Sequence, residues 1–211
     1  MEVKESGREY FDGVAKRWDR MREGFYSEAV REKAFDIAGV QSGKLAADIG
    51  AGTGFITEGL LKKGLKVIAV DQSEAMLTEM KKKFVSFDGI DYRVGEAKNL
   101  PIPDETVDYA FANMYLHHVE SPLGAIKEMV RILMSGGRLE ITDLDEHTFE
   151  FLRAEHHDLW MGFKREDIKK WFTQARLKNV VVICAGENCC AQSGSGNEHA
   201  NVSIFVASGE K

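Results

Sequence analysis

Residues 45–54 read Leu-Ala-Ala-Asp-Ile-Gly-Ala-Gly-Thr-Gly and run directly into Phe-Ile-Thr-Glu-Gly-Leu-Leu. An apolar run, three alternating glycines and then apolar residues at helical spacing predict a buried strand, a tight turn and a helix. This stretch constrains the fold more than any other, because a strand that feeds a helix through glycines is the opening unit of a wound α/β sheet. Gly50, Gly52 and Gly54 lack a Cβ, so the backbone can take positive φ and a ligand can approach the main chain. The helix beginning near Phe55 presents unpaired N–H groups that favour an anionic group.

Spacing separates the ligands that such a turn could hold. A phosphate-binding Walker loop needs Gly-Lys-Ser/Thr at its end, and Gly54-Phe55-Ile56 supplies neither lysine nor hydroxyl. The dinucleotide fingerprint wants a small residue at position 55, which is Phe. Asp48, two residues before the first glycine, repels a pyrophosphate but holds an ammonium. A ligand with both a carboxylate and an ammonium is an amino acid.

These residues resemble motif I of the class I S-adenosylmethionine-dependent methyltransferases. The resemblance runs from about Tyr10 to Val206 and is greatest to the ubiquinone and menaquinone biosynthesis group. Later stretches follow in that family's order. Lys66 to Val70 is a β-branched strand ending in Asp71, placed to accept both ribose hydroxyls, with Gln72 beside it. Ser73 caps a helix over Glu74 to Val85, on whose first turn Met76 is either a packing surface for adenine or core filler. Ile90 to Val94 is a third strand closing in Gly95-Glu96-Ala97, where the family usually shows Gly-Asp-Ala; the acid accepts from the adenine amino group. Val107 to Ala112 is a fourth strand, followed by Asn113-Met114-Tyr115-Leu116-His117-His118-Val119, similar to the family's Leu-His-His-Val stretch.

The resemblance implies S-adenosylmethionine as cofactor, S-adenosylhomocysteine as product and a small-molecule methyl acceptor. It assigns the cofactor to Tyr10, Trp18, Asp48, Gly50, Ala51, Gly52, Asp71, Gln72, Met76, Glu96, Ala97 and Asn113. His117 and His118 are the candidate catalytic bases, since a neutral imidazole titrates near 6.5 when unperturbed; the alternative is that they only wall the cofactor. The implied fold is a doubly wound, mostly parallel seven-stranded sheet with an antiparallel C-terminal strand. A single domain over residues 1–211 follows, with residues 1–40 as a helical cover whose aromatics Tyr10, Phe11 and Trp18 close over the ligand.

The chain has 211 residues, 44% of them hydrophobic, which suits one sizeable core. A net charge of −6, with no basic run longer than Lys81-Lys82-Lys83, argues against a nucleic-acid partner. The charged first residues and the lack of a long apolar run predict neither a leader nor membrane insertion, hence a cytoplasmic protein. Three cysteines, Cys184, Cys189 and Cys190, fit a reducing compartment. Helix Pro122 to Leu133 precedes a strand over Arg138 to Thr142, after which Asp143, Asp145 and Glu146 crowd the sheet edge. Arg165 to Leu177 is amphipathic. Val180 to Cys184 and Val202 to Ala207 form a closing antiparallel pair, joined by a Gly/Ser-rich loop carrying Cys189 and Cys190.

Two other functions remain open to such a chain. A non-catalytic cofactor- or metalloid-binding protein would use Cys189 and Cys190. A nicotinamide dehydrogenase would share the fold but lacks the third fingerprint glycine. His147, His156 and His157 invite a metal, yet adjacent histidines on a helix point to different faces, so none is assigned. Because the turn needs its backbone freedom, Gly52→Val is expected to abolish S-adenosylhomocysteine binding in calorimetry while circular dichroism shows an intact fold.

Overall fold

The computed structural model describes residues 7–211. The charged start of the chain, on which the absence of a leader was argued, lies outside the described residues. Helices α1 (Gly7–Val14), α2 (Trp18–Glu23) and α3 (Ala29–Ala38) come first, with a 3-10 turn at Ala15–Arg17. The wound part follows as β1 (Leu45–Ile49), α4 (Phe55–Lys62), β2 (Lys66–Asp71), α5 (Glu74–Lys83), β3 (Ile90–Val94) and β4 (Val107–Asn113). A 3-10 turn at Leu116–His118 leads to α6 (Pro122–Ile132), β5 (Leu133–Leu144), α7 (Glu150–His156), α8 (Arg165–Gln174), β6 (Lys178–Gln192) and β7 (His199–Glu210).

The seven strands lie in the order β3-β2-β1-β4-β5-β7-β6. All pairings among the first five positions are parallel, and β7 runs antiparallel to both β5 and β6. The doubly wound sheet with an antiparallel C-terminal strand is therefore the observed fold. Strand alternation sends Ile68 and Val70 to the core beneath α6 and α8, and Val67 to the core beneath α3 and α4. The strand order reverses its winding direction between β1 and β4, so the crevice beyond their carboxyl ends is the place where a sheet of this topology holds ligands.

Four elements differ from the sequence reading. Strand β5 begins at Leu133 directly where α6 stops, and Gly136, at φ 78°, lets the chain stay in the strand instead of turning away. Strands β6 and β7 are far longer than their β-branched centres, because register pairing from Asn188↔Ser203 to Gln192↔His199 extends them beyond a shift at Cys184. Cys189 and Cys190 are thus strand residues, not loop residues. Helix α3 packs on the sheet through Val30, Ala34 and Phe35 and belongs to the core layer. The cover is the segment before it.

Two carboxylates fasten that cover. Ser73 Oγ donates to Asp12 at 2.6 Å while accepting from Met76 N at 3.0 Å, tying α1 to the cap of α5. Thr53 Oγ1 donates to Asp19 at 2.6 Å, and Lys83 pairs with the same carboxylate, tying α2 to the glycine turn. Among the described residues no helix is long and apolar enough to cross a membrane.

Gly59 in α4 faces the Phe35 ring and Arg31, whose nearest atoms would lie 2.5 and 3.0 Å from an added Cβ. A helical Gly→Ala change ordinarily stabilises. Here overpacking reverses the sign: Gly59→Ala should lower stability by about 1–3 kcal/mol in urea unfolding. Unchanged or higher stability would mean that the α3–α4 contact is looser than described.

Candidate active site

The glycine turn takes the conformation its composition requires. Gly50, Gly52 and Gly54 have φ of 69°, 53° and 93°, and Gly54 caps α4. Gly50 N and Ala51 N donate to Val70 O at 2.9 and 3.0 Å, which holds the turn against the end of β2. A Cβ on Gly50 would collide with the Tyr115 ring, so that glycine makes room for an aromatic floor. Gly52 N donates to one Asp71 oxygen and Ser73 N to the other, each at 2.8 Å. Burial raises the Asp71 carboxyl above its usual range, and these two backbone bonds oppose the shift.

Asp48 is buried at the end of β1 and accepts both the N–H and the hydroxyl of Thr57 on a single oxygen, at 3.0 and 2.7 Å. Burial pushes its carboxyl up to about 7, with the Asp71 charge adding to the effect. Neither Asp48 nor Asp71 meets a cationic side chain among the described residues. Phe55, which argued against a dinucleotide turn, lies under the Arg22 guanidinium at 4.4 Å and edge-on to Tyr26.

A cavity of about 660 Å³ opens at this edge and is lined by Trp18, Asp48, Gly50, Ala51, Gly52, Asp71, Gln72, Met76, Glu96, Ala97 and Asn113. Every expected cofactor residue except Tyr10 is on its wall. Tyr10 lines a smaller neighbouring cavity of about 50 Å³, with its hydroxyl 3.2 Å from His156 Nδ1. Met76 packs with Val14 and Ala15 and also lines the cavity. Asn113 is held by Thr142 and donates to the Tyr26 hydroxyl at 3.1 Å. Glu96 sits at the lip, paired with Lys98.

The paired histidines separate into two roles. His117 is buried and lines the smaller cavity but not the larger one, its Nδ1 2.6 Å from Asp143 Oδ1. Asp143, one of the acids expected to crowd the sheet edge, is fully buried and accepts from Leu116 N, His117 N and Leu144 N. Burial pulls the His117 imidazole down, but the Asp143 and Asp158 carboxylates outweigh it and raise it to about 9. His118 lies on the wall of both cavities, and burial followed by the charge of His117 lowers it well below its ordinary value. Neither imidazole keeps the value near 6.5 on which the sequence-level base was argued.

Residues that spacing did not reveal complete the site. Tyr115 floors the glycine turn, Asp12 and Asp19 fasten the cover, and Asp158 faces both cavities. Asp158 follows a His-His pair whose composition was conspicuous, but only the fold turns it toward His117. The structure does not bring the adjacent cysteines together. Cys189 and Cys190 are consecutive in β6 and face opposite sides of the sheet. Cys189 is buried, which pushes its thiol up to about 12, while Cys184 and Cys190 are exposed.

Comparison with known proteins fits this geometry. Residues 47–141 match a family described as a methyltransferase domain. The 2-methyl-6-phytyl-1,4-hydroquinone methyltransferase 2 of Oryza sativa subsp. japonica is 33% identical over 74% of this chain and 46% of its own length. The demethylmenaquinone methyltransferase of Renibacterium salmoninarum is 30% identical over 72% of this chain and 64% of its own. The chain thus spans about half the length of the plant relatives it matches. Among solved structures, phosphoethanolamine N-methyltransferase 2 of Haemonchus contortus, in complex with S-adenosyl-L-methionine, superposes with a TM-score of 0.79. At 15% identity, covering 100% of this chain and 61% of that one, it is a likeness of fold alone. The chain thus carries a match to a methyltransferase domain across β1 to β5 and resembles quinone methyltransferases in sequence and S-adenosylmethionine-dependent methyltransferases in fold.

Proposed function

We propose that the chain transfers a methyl group from S-adenosylmethionine to a small, partly apolar acceptor carrying an aromatic hydroxyl. One observation carries the reading: Asp48 and Asp71, both buried and without a cationic partner, flank a turn of positive-φ glycines on one cavity. The donor set fits the cofactor. Asp48 suits the ammonium of its amino-acid part, and the start of α4, whose Phe55 and Ile56 line the cavity, suits the carboxylate. Asp71 keeps a lone pair on each oxygen beyond its backbone bonds, enough for two ribose hydroxyls.

When bound, the cofactor supplies a methyl already activated by a positive sulfur, so the chain's work is alignment and exclusion of water. Trp18 closes the turn from above: its Nε1 lies 3.5 Å from the place a Gly52 Cβ would take. Asp12 and Asp19 hold the cover that carries it. His118 and Asp158 form the polar wall that receives an acceptor hydroxyl, and His117 positions His118 from behind. The apolar groups of the smaller cavity, Phe25, Leu144 and Leu152, suit an acceptor with an apolar body. The hydroquinone and menaquinone names of the relatives support that class.

Asp71→Ala should weaken S-adenosylhomocysteine by about 1.5–3 kcal/mol in calorimetric titration, as expected for hydrogen bonds to a charged group. Unchanged affinity in a folded variant would remove Asp71 from the ribose site.

Asp48 supplies a pH test. Its carboxyl stands at about 7 without a ligand, and an ammonium beside it favours the ionised form. A proton and the ligand therefore compete. Affinity for S-adenosylmethionine should hold above pH 7 and fall below it, by up to about tenfold per pH unit. Asp48→Asn should bind weakly and without this slope. Level wild-type affinity between about pH 5.5 and 7 would place the ammonium elsewhere.

A further inference from the structure

Three potential ligand atoms from two separate loops converge where the two cavities meet. His117 Nε2 and His118 Nδ1 lie 3.7 and 3.8 Å from one oxygen of Asp158, and the three atoms lie within 4.8 Å of one another. These separations exceed a hydrogen bond. They are close to the ligand–ligand edge of a tetrahedral ion with bonds near 2.0–2.1 Å, which is about 3.3 Å.

Asp158 is the independent observation. Its side chain is 5% exposed and reaches both cavities, yet among the described residues no donor forms a hydrogen bond to it. A buried carboxylate in a folded protein ordinarily has donors. The surroundings of His117 point the same way. Its Nδ1 is engaged by Asp143 at 2.6 Å, and Asp143 is itself fixed by three backbone N–H groups. That is the carboxylate–histidine support found behind metal ligands, and it leaves Nε2 as the atom free to coordinate. His118 Nδ1 has a long contact of 3.4 Å to His157 O, a weak interaction for an ion to displace.

We propose that His117, His118 and Asp158 bind a divalent ion of the zinc class, with a fourth coordination position open to the cavity. Two imidazoles and one carboxylate suit zinc and its transition-metal neighbours, whereas magnesium and calcium favour all-oxygen sets. Three protein ligands with one open position is the arrangement of catalytic, not structural, zinc. The open position would hold the oxygen of a hydroxylated acceptor as its anion, the proton passing to solvent. That role rests on the methyl-transfer reading; the binding site does not. It also revises the metal reading taken from His147, His156 and His157, since the ligands come instead from the 3-10 turn after β4 and the residue following His157.

The test uses the whole chain stripped of metal by chelation and titrated with Co²⁺, followed by Zn²⁺ competition. One ion per chain is expected, with visible d–d bands and no thiolate charge-transfer band. His118→Ala and Asp158→Asn should each weaken Zn²⁺ at least tenfold with circular dichroism and melting retained. Asp143→Asn should weaken it by about 10–100-fold. His117→Ala is avoided because its buried pair with Asp143 also holds the fold. The double change Cys184→Ser/Cys190→Ser should leave binding as it was. The site is overturned if no one-to-one binding occurs, if binding survives both His118→Ala and Asp158→Asn, or if it is lost with the cysteines. Cofactor titration reports separately on the methyl-transfer reading, so failure of one does not resemble failure of the other.

Discussion

The two backbone N–H groups that Asp71 accepts, from Gly52 and Ser73, hold the site together. One belongs to the turn after β1 and the other to the cap of α5, so a single carboxylate at the end of β2 joins three elements. Charge-assisted bonds of this kind are among the stronger ones available to a backbone donor. The clamp extends outward through polar groups of the cover. Ser73 continues to Asp12, and Thr53 of the same turn continues to Asp19, so the helices that cover the cavity are anchored to the residues that line it. A ligand that bonds to Asp71 would therefore act on the rigidity of both.

A second buried polar system governs the other side of the cavity. Asp143, His117, Asp158 and His118 are close enough that the charge of each sets the state of the next. Without a bound ion the two carboxylates favour the cationic form of His117, and burial and that cation favour the neutral form of His118; a metal at Nε2 would take the place of the proton. Both ends of the cavity thus contain carboxylates raised by burial, Asp48 to about 7 and Asp158 to about 6. Such groups are costly unless something positive answers them. At Asp48 the proposed answer is a ligand ammonium, and at Asp158 it is His117 or the proposed metal ion.

The sheet was legible wherever a local pattern reports a local structure. Strands β1 to β4, the Ser73 cap and the proline start of α6 follow from spacing and residue type. The length of β6 and β7 was not, because their outer halves carry Gly, Asn and Ser, whose strand character comes from pairing with each other and not from their own preference. Cys189 and Cys190 changed meaning for the same reason: once their segment is a strand, neighbours point apart.

By itself the sequence determined the glycine turn, the carboxylates at the ends of β1 and β2, and a wound sheet to carry them, because each depends on contacts within a few residues. It named eleven of the cavity's lining residues on resemblance to a family, and the structure brings those eleven to one wall. Only the tertiary structure decided which histidine faces the larger cavity, that Asp143 lies behind the pair, and that Asp158 meets His117 and His118. Those outcomes depend on groups 15 to 41 positions apart in the chain. Their charges and distances are set by burial and by the packing of β5 and the segment after α7, which no local periodicity encodes.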